Sequence, residues 1–361
     1  MSNNPRISEQ YRTATRIGGY SDRPDRALIE VAGKDRAEWL SNLVTNVVKT
    51  LQPGEGNYAF AVSIKGRTIF DLNILVIEDR LWLDVDHRWK ATALRHLDRY
   101  IITEDVRLSD ITNRHARLAI VGPGAREIVA EAGFGNLVPM SQLQHVGGTI
   151  DGVPVRMLRH DFIGLPGAEF ILPADSPTVQ EQLIGLARSR GLVSLDSETL
   201  EILRIEAGIP ASVVDIDEDV VPPETGQVER GISYHKGCYL GQEVIERMRS
   251  HGILARQFVG VKIETSAASS SGTAAVPPRS AVIRANEKEI GRVTSACWSE
   301  ALAAPLALGY VKTPFAKPGT IVQMVATSAE ASSPASCEQA MTMQATIVAL
   351  PVAPRACQNT A

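Results

Sequence analysis

Three consecutive strand patterns joined by short turns constrain the possible folds of this chain most strongly. Strand-like runs lie at 57–63, 68–79 and 81–86, and the turns between them, at 65–67 and 79–80, suit β-hairpins. Helical patterns flank these strands at 34–50 and 88–102. Helices and strands continue to alternate up to residue 193, but hairpin connections dominate. The sequence therefore predicts an α+β fold and not a doubly wound parallel sheet.

The length of the chain and changes in its sequence pattern divide it into six predicted segments. A chain of 361 residues is too long for one compact core and long enough for two or three domains. Short strands interrupted by glycine and proline predict a small antiparallel β-barrel near the C-terminal end. The segments are a flexible N-terminal arm at 1–20, a first α+β portion at 21–113, a second at 114–193, a segment with two helices at 194–252, the barrel at 253–326 and a disordered Ala/Ser/Thr-rich tail at 327–361.

Composition and charge exclude several classes of protein. The formal net charge is −4, which gives no electrostatic case for nucleic acid as the main partner. No run of eighteen apolar residues occurs, so we expect no transmembrane helix and no membrane partner. The N-terminus lacks the apolar core of a secretory signal. A cytoplasmic location is the expectation that fits these features.

The four cysteines show no metal-binding spacing. Cys238, Cys297, Cys337 and Cys357 form no CxxC pair. A zinc site or an iron–sulfur cluster held entirely within this chain is therefore not expected, so we predict no metal ligands. A disulfide framework is not expected either, which again favours a reducing compartment.

One glutamate has an unfavourable position at the end of a predicted helix. The helix spans 197–208, with Asp196 or Ser197 as N-cap and Gly208 as a left-handed C-cap. Glu206 lies in its last turn, where a carboxylate opposes the helix dipole by a few tenths of a kcal/mol. A solvated side chain is the plain interpretation, but a ligand-facing role would explain the choice of residue.

The stretch 236-KGCYLGQEVIERMRS-250 places a lone cysteine before a predicted helix. Glu243 and Arg247 have the i, i+4 spacing of a surface ion pair on that helix. Lys236 and the helix N-terminus would lower the pKa of the Cys238 thiol if the thiol is exposed. A buried, unreactive side chain is the commoner state of a lone cysteine. Spacing alone leaves both alternatives open.

This stretch resembles the signature of the YgfZ family, K-G-C-[FY]-x-G-Q-E-x-x-x-R. The signature is matched at every fixed position, namely Lys236, Gly237, Cys238, Tyr239, Gly241, Gln242, Glu243 and Arg247. Three further stretches are similar to the related glycine-cleavage T-protein, an aminomethyltransferase: 43-LVTNVVKTLQPGEGNYAF-60, 66-GRTIFDLNIL-75 and 203-LRIEAGIP-210. The resemblance covers roughly 25–325.

The resemblance implies a fold and a ligand. The fold would be a T-protein-like folate-binding fold, with three domains around a central hole and the small C-terminal antiparallel β-barrel. The hole would bind tetrahydrofolate or a one-carbon derivative of it. The segment at 21–113 would be the first part of the folate-binding domain, and the segment at 194–252 would contribute the signature to the hole. The partners would be iron–sulfur assembly factors or client enzymes.

The resemblance also implies roles for individual residues. Glu206 matches the glutamate that contacts the pterin in the T-protein, and Asp71 matches the second residue of its Asp-Asp pair, while Phe70 replaces the first. Cys238 and Asp71 are therefore the predicted catalytic residues. The predicted cofactor-binding residues are Glu206, Tyr58, Lys236, Gly237, Tyr239, Gln242, Glu243 and Arg247. Weaker candidates are Lys65, Arg67 and Arg230, with Arg247, for the glutamate tail, and Phe70, with Tyr58 and Tyr239, for aromatic walls.

Three functions are compatible with these features. The leading hypothesis is a tetrahydrofolate-binding protein that supports assembly or repair of iron–sulfur enzymes, with Cys238 as its reactive residue and with enzymatic activity uncertain. The second is a folate-dependent aminomethyl or methyl transferase with Asp71 as its base. Phe70 and the replacement of the T-protein's KGDFIGR-type segment by KGCYLGQ count against that transfer. The third is a non-catalytic scaffold for assembly partners. The scaffold predicts a buried Cys238, whereas the two chemical hypotheses require an accessible one.

Overall fold

The computed structural model describes residues 4–252, 254–264, 275–326 and 341–353. Its helices are α1 Pro5–Arg16, α2 Arg36–Ser41, α3 Lys90–Asp98, α4 Ala125–Glu131, α5 Pro177–Ser189, α6 Ser197–Ala207, α7 Val228–Gly231 and α8 Gln242–His251. Its strands are β1 Gly19–Asp22, β2 Arg26–Ala32, β3 Gly56–Val62, β4 Thr68–Ile77, β5 Arg80–Asp86, β6 Arg107–Asp110, β7 His115–Val121, β8 His145–Ile150, β9 Val153–Arg159, β10 Gly167–Pro173, β11 Val193–Ser194, β12 Arg256–Ile263, β13 Val282–Ala285, β14 Lys288–Ser299, β15 Ala304–Lys312, β16 Ile321–Ala326 and β17 Met341–Val348.

The first sheet contains the predicted hairpins. Its strand order is β3-β4-β5-β2-β6, with antiparallel pairing throughout. Helices α2 and α3 cover one face, where Trp39, Leu40 and Leu97 pack against the strands. The helix expected at 34–50 is confined to Arg36–Ser41. Beyond it the chain follows β3, and the Thr45 amide donates to the Phe60 carbonyl oxygen at 2.9 Å, so pairing with the sheet overrides the helical pattern.

The second sheet corrects the prediction of a flexible arm at 1–20. Its strand order is β11-β1-β7-β10-β9-β8, so it includes the N-terminal strand β1. Helix α1 is ordered and buries Ile7, Gln10 and Ala14. Asn4 accepts a hydrogen bond from the Arg6 amide, and Pro5 occupies the first turn. The arm prediction overlooked this N-cap signal and the apolar stripe that follows it.

The third part is a closed barrel of six strands, in the order β12-β15-β14-β13-β16-β17. The α+β class and the antiparallel C-terminal barrel are confirmed. The disordered tail predicted at 327–361 is wrong for β17, which closes the barrel by pairing with both β12 and β16. Met343, Ala345 and Ile347 alternate into the barrel core. The rest of that tail, at 327–340 and 354–361, lies outside the described residues, as does 265–274 within the predicted barrel segment.

A buried ion network joins the two sheets. Arg117 on β7 donates two hydrogen bonds, of 2.6 and 3.2 Å, to the Asp84 carboxylate on β5. Its Nε contacts Glu169 on β10, so one guanidinium bridges two fully buried carboxylates, while Arg26 also pairs with Asp84 and Arg23 with Glu169. Such a network fixes the relative position of the two sheets, because separating them would leave uncompensated charges in the interior.

Helix α6 connects the second sheet to the barrel. Asp196 caps the helix by accepting from the Thr199 amide, and Gly208 ends it with a left-handed φ of 69°, both as predicted. Arg204 on this helix donates to Asp215 and to Ser295 of the barrel. The longest helix in the described part of the chain, α5, has 13 residues, whereas a membrane-spanning helix needs about 20 apolar ones, so none of these helices could cross a membrane.

Candidate functional site

A cavity of about 140 Å³ lies where the two sheets meet helix α6. The first sheet contributes Tyr58, Asp71, Asn73 and Asp86 to its wall. The other lining side chains used below are Arg23, His160, Phe162, Arg204, Ser212 and Arg230. A second cavity, of about 560 Å³, adjoins it and shares Arg23, Asp25, Asp86, Phe162, Arg204 and Ala211. The structure therefore has space between its parts for a ring system in the small cavity and a longer chain in the large one.

Asp71 is a buried carboxylate of the small cavity. It lies on β4 and is 6% exposed. Its Oδ2 accepts hydrogen bonds from Tyr58 Oη at 2.8 Å and from Ser212 Oγ at 2.9 Å. Its Oδ1 is buried and has no hydrogen-bond partner among the described residues. A buried acceptor without a donor is costly, so the arrangement suits a ligand that brings an N–H or O–H group.

Tyr58 and Arg230 form the aromatic wall beside Asp71. Burial, followed by the Asp71 charge, raises the pKa of Tyr58 well above its ordinary value, so the phenol stays protonated and donates to Asp71. The Arg230 guanidinium carbon lies 4.1 Å from the centroid of the Tyr58 ring. Arg230 is exposed, which places a cation at the rim of the cavity.

Phe70 does not line the cavity, contrary to the expectation that it forms an aromatic wall. Successive side chains of a strand point to opposite faces, so Phe70 and Asp71 separate. Phe70 is fully buried in the core under α2 and α3, where it packs against His96. Of the two matched positions, only the one occupied by Asp71 therefore contributes to this cavity.

Glu206 also lies outside this cavity, and its contact with a pterin stays a prediction. Its Oε1 accepts from Ser299 Oγ at 2.6 Å and from the Ala301 amide at 3.0 Å, and its Oε2 accepts from Tyr11 Oη at 2.6 Å. The carboxylate thus joins α1 and the barrel. The α6 residue that lines the cavity is Arg204. Two residues along a helix rotate the side chain by about 200°, which accounts for the difference.

Lys236, the first residue of the signature, is a structural tether. Its Nζ donates to the carbonyl oxygens of Ser41, Val44 and Asn46 at 2.6, 2.7 and 2.9 Å. Burial lowers its pKa to about 8. These three bonds hold the signature loop against the segment that follows α2, so Lys236 has no free donor for a ligand.

Gly241 sets the path of the loop into α8. Its φ is 78°, and a Cβ there would lie 2.3 Å from the Ser63 carbonyl oxygen. Only glycine satisfies both conditions. Tyr239 is buried, and its amide donates to Gln242 Oε1 at 3.2 Å. The predicted pair of Glu243 and Arg247 is present at 2.5 Å on the exposed surface of α8.

Cys238 is exposed at the outer edge of this loop, next to exposed Gly237. An accessible thiol contradicts the buried side chain that the scaffold hypothesis predicts. Among the described residues, none of 236–247 lines the cavity that contains Asp71. Lys65 is exposed on the β3–β4 turn, and Arg67 donates to the Asp219 carbonyl oxygen at 2.8 Å. Tyr58 and Asp71 therefore line the cavity, the predicted residues at 236–247 lie in the signature loop and the start of α8, and Glu206 lies between α1 and the barrel.

Sequence reasoning missed a histidine–carboxylate pair in the cavity wall. His160 Nδ1 lies 2.6 Å from Glu169 Oε1. Burial lowers the pKa of His160 even with this carboxylate beside it. Although burial raises the pKa of Glu169, the guanidinium groups of Arg117 and Arg23 hold it far below its usual range. His160 and Glu169 are only nine residues apart, but Arg23 and Arg117, which hold Glu169 ionised, lie in segments distant in the sequence, so no local pattern predicts the state of this pair.

Two sheets, with a cavity and a buried carboxylate where they meet helix α6, together with a closed C-terminal barrel, define a protein of the glycine-cleavage T-protein type. Residues 5–233 match the family model "GCVT N-terminal domain", and residues 256–337 match "Glycine cleavage T-protein C-terminal barrel domain". The chain belongs to the GCVT family.

Similar proteins have related names. The protein of Arabidopsis thaliana named "Putative transferase At1g60990, chloroplastic" is 27% identical over 81% of this chain, and the match spans 65% of its own length. The aminomethyltransferase of Thermoanaerobacter pseudethanolicus is 23% identical over 88% of this chain and 85% of its own. The crystal structure of aminomethyltransferase T of the glycine cleavage system from Bartonella henselae superposes with a TM-score of 0.81 at 22% identity, covering 97% of this chain and 90% of that one, which shows the shared fold.

Proposed function

We propose that this protein binds tetrahydrofolate, with the pteridine ring in the cavity formed by Tyr58, Asp71 and His160. The observation that carries the proposal is Asp71 Oδ1, a buried acceptor with no hydrogen-bond partner in the described part of the chain. A reduced pteridine ring offers N–H groups on one edge and an aromatic face for Tyr58. Exposed Arg230, at the rim of the same cavity, supplies a cation for the anionic glutamate tail. When bound, tetrahydrofolate would supply a carrier for one-carbon units.

Calorimetric titration of the purified protein with tetrahydrofolate tests this proposal. We expect saturable binding of one ligand per chain and a loss of affinity in Arg230→Met, since this variant removes the cation at the rim. Arg107→Met is the matched control, because Arg107 is an exposed arginine of the first sheet outside the cavity wall. Absence of binding to the wild-type protein would refute the proposal.

We further propose that the protein supports assembly or repair of iron–sulfur enzymes, as members of the YgfZ family are expected to do. The support is the complete signature at 236–247 together with the exposure of Cys238 on a loop tethered by Lys236. The thiol is accessible to a partner protein, and the loop would present it in one conformation. Its partners would be assembly factors or client enzymes.

A rescue experiment tests this second proposal. In a strain that lacks the protein, the wild-type chain should restore the activity of iron–sulfur enzymes, and Cys238→Ser should fail while remaining folded. Cys297→Ser is the control, because Cys297 is 5% exposed and burial raises its pKa, so its thiol is not available for chemistry. Full rescue by Cys238→Ser would exclude the reactive-cysteine role.

A second candidate function is one-carbon transfer from folate to an amine. Two observations favour it: the buried Asp71 in the cavity, and the names of the aminomethyltransferases that this chain resembles. Asp71 would hold or accept the amine proton. Turnover of methylene-tetrahydrofolate with an amine acceptor, abolished in Asp71→Asn, would establish this activity, and its absence over a panel of amines would favour the role in iron–sulfur enzyme support.

A further inference from the structure

His160 has a defined hydrogen-bonding state. Glu169, held ionised by Arg117 and Arg23, can only accept hydrogen bonds, so His160 Nδ1 must carry the hydrogen that the two share. In the neutral ring Nε2 then carries the lone pair. Nε2 makes no hydrogen bond to any described residue, and His160 lines the cavity. The structure therefore presents a second acceptor in the wall that contains Asp71.

Apart from the exposed Arg230 guanidinium at the rim, the main side-chain donors of this wall already have internal partners. Tyr58 Oη and Ser212 Oγ both donate to Asp71 Oδ2. Arg204 donates to Glu201, Asp215, Ser295 and the Ile209 carbonyl oxygen. Arg23 donates to Asp25 and Glu169. In the interior of the cavity, away from Arg230, His160 Nε2 and Asp71 Oδ1 are thus acceptors without a hydrogen-bond partner among the described residues.

We propose that His160 Nε2 and Asp71 Oδ1 make this cavity selective for a reduced pteridine ring over a fully oxidised one. In the tetrahydro form, ring nitrogens N5 and N8 carry hydrogens and donate. In folic acid the same two nitrogens carry lone pairs, so they would face acceptors and leave buried groups unpaired. This inference rests on the proposed binding of folate in this cavity. It adds that His160 helps the cavity to select the reduced form of the ligand over the oxidised form.

Burial keeps this preference across neutral pH, against the charge of the neighbouring Glu169. Glu169 on β10 faces Nδ1, and Arg23 and Arg117 lie behind that carboxylate, with Asp84 beyond them. In the cavity the charged side chains are Asp71, Asp86, Arg204 and Arg230, with Asp25 and Arg26 at its edge. Burial keeps the imidazole neutral despite Glu169. As the pH falls through the lowered pKa of His160, Nε2 becomes a donor and the preference should weaken.

Competition between tetrahydrofolate and folic acid tests this proposal. We expect the wild-type protein to bind tetrahydrofolate, kept reduced under anaerobic conditions, about tenfold to a hundredfold more tightly than folic acid at pH 7.5, on the order of the cost of leaving a buried acceptor unpaired. In His160→Gln the amide nitrogen can donate to Glu169 while the amide oxygen accepts from the ligand, so the preference should persist and lose its dependence on acidic pH. In His160→Phe the ratio of the two affinities should fall severalfold. His87→Gln, outside this cavity wall, is the control and should leave the ratio unchanged.

The possible outcomes separate this inference from the proposed function. Equal affinity of the wild-type protein for both ligands, or an unchanged ratio in His160→Phe, would overturn the selectivity while folate binding stands. Lack of binding of either ligand to the wild-type protein would overturn both. Nitrogen-15 NMR of the histidine side chains adds a ligand-free measurement: His160 should carry its hydrogen on Nδ1 at pH 7.5, and the opposite tautomer would contradict the proposal.

Discussion

Tyr58 Oη lies 2.8 Å from Asp71 Oδ2, on neighbouring antiparallel strands of the first sheet. In the register of these strands Tyr58 is opposite Asn73 and Asp71 is opposite Phe60, so the two side chains are diagonal neighbours on one face. This contact fixes which oxygen of Asp71 is used internally and leaves the other for a ligand. The hairpin geometry of β3 and β4 therefore determines how the cavity presents its carboxylate.

Replacing Asp71 by asparagine should weaken tetrahydrofolate binding. The amide keeps the size of the side chain and can still accept from Tyr58, but it turns the unpartnered acceptor into a donor. We expect the affinity to fall about tenfold to a hundredfold, the cost of one unmade buried hydrogen bond. Titration calorimetry measures the change. Asp79→Asn, on an exposed turn of the same sheet, is the control, and equal affinities of the two variants would contradict the assigned role of Asp71.

Replacing Arg117 by methionine should destabilise the protein strongly at neutral pH. Asp84 and Glu169 would each lose a buried counterion, and breaking such a network costs about 3–5 kcal/mol. Urea unfolding measures the change in the free energy of unfolding. Arg107→Met removes an arginine whose side chain is 73% exposed and paired with Asp105, and should cost below about 1 kcal/mol. Similar losses in both variants would show that the buried network contributes no more to stability than an exposed ion pair.

The same network predicts an acid-sensitive stability. Arg117 holds the pKa values of Asp84 and Glu169 far below their usual ranges, despite the opposing effect of burial. A carboxylate with a lowered pKa in the folded state stabilises the protein above its unfolded pKa of about 4 and loses that contribution as the pH falls. The free energy of unfolding should therefore decrease below about pH 4. The decrease should be shallower in Arg117→Met, and equal slopes would exclude Arg117 as its cause.

Replacing Lys236 by methionine should loosen the signature loop. Three backbone carbonyl groups would lose their donor, and the loss of even one hydrogen bond to a charged group costs about 1.5–3 kcal/mol. The Leu240 amide, which donates to the Asn42 carbonyl oxygen at 3.0 Å, should then exchange its hydrogen faster. Hydrogen exchange followed by NMR measures this rate. Lys34→Met, an exposed lysine of the first sheet's domain, should leave the rate unchanged, and unchanged exchange in Lys236→Met would refute the tethering role.

Replacing Ala345 by aspartate should disrupt the barrel. Ala345 is fully buried on β17, and an unpaired carboxylate there costs several kcal/mol. We expect a lower melting temperature and loss of the chemical-shift dispersion of the barrel strands. Gln344→Asp changes the adjacent, exposed residue of the same strand and is the matched control. If both variants melt alike, β17 does not close the barrel as described.

The sequence was most informative where the structural signal is local. Alternating apolar residues and short turns predicted the hairpin of β3 and β4, and glycine and proline punctuation predicted the barrel. Asp196 and Gly208 predicted the start and the end of α6. The resemblance located Asp71 and the loop of Cys238. Each of these signals depends on residues within a few positions of one another, which is the range over which backbone preference and side-chain periodicity act.

Tertiary structure alone decided which of the candidate groups face the cavity. Glu206 lies outside it, where its carboxylate accepts hydrogen bonds from Tyr11, 195 residues earlier in the chain, and from Ser299 of the barrel. His160 gained its role from Glu169, whose charge depends in turn on Arg117. Strand β17 was not predicted from its Ala/Ser/Thr-rich sequence. It forms because β12 and β16 of the closed barrel pair with it. Contacts between distant segments create these environments, so no local pattern could encode them.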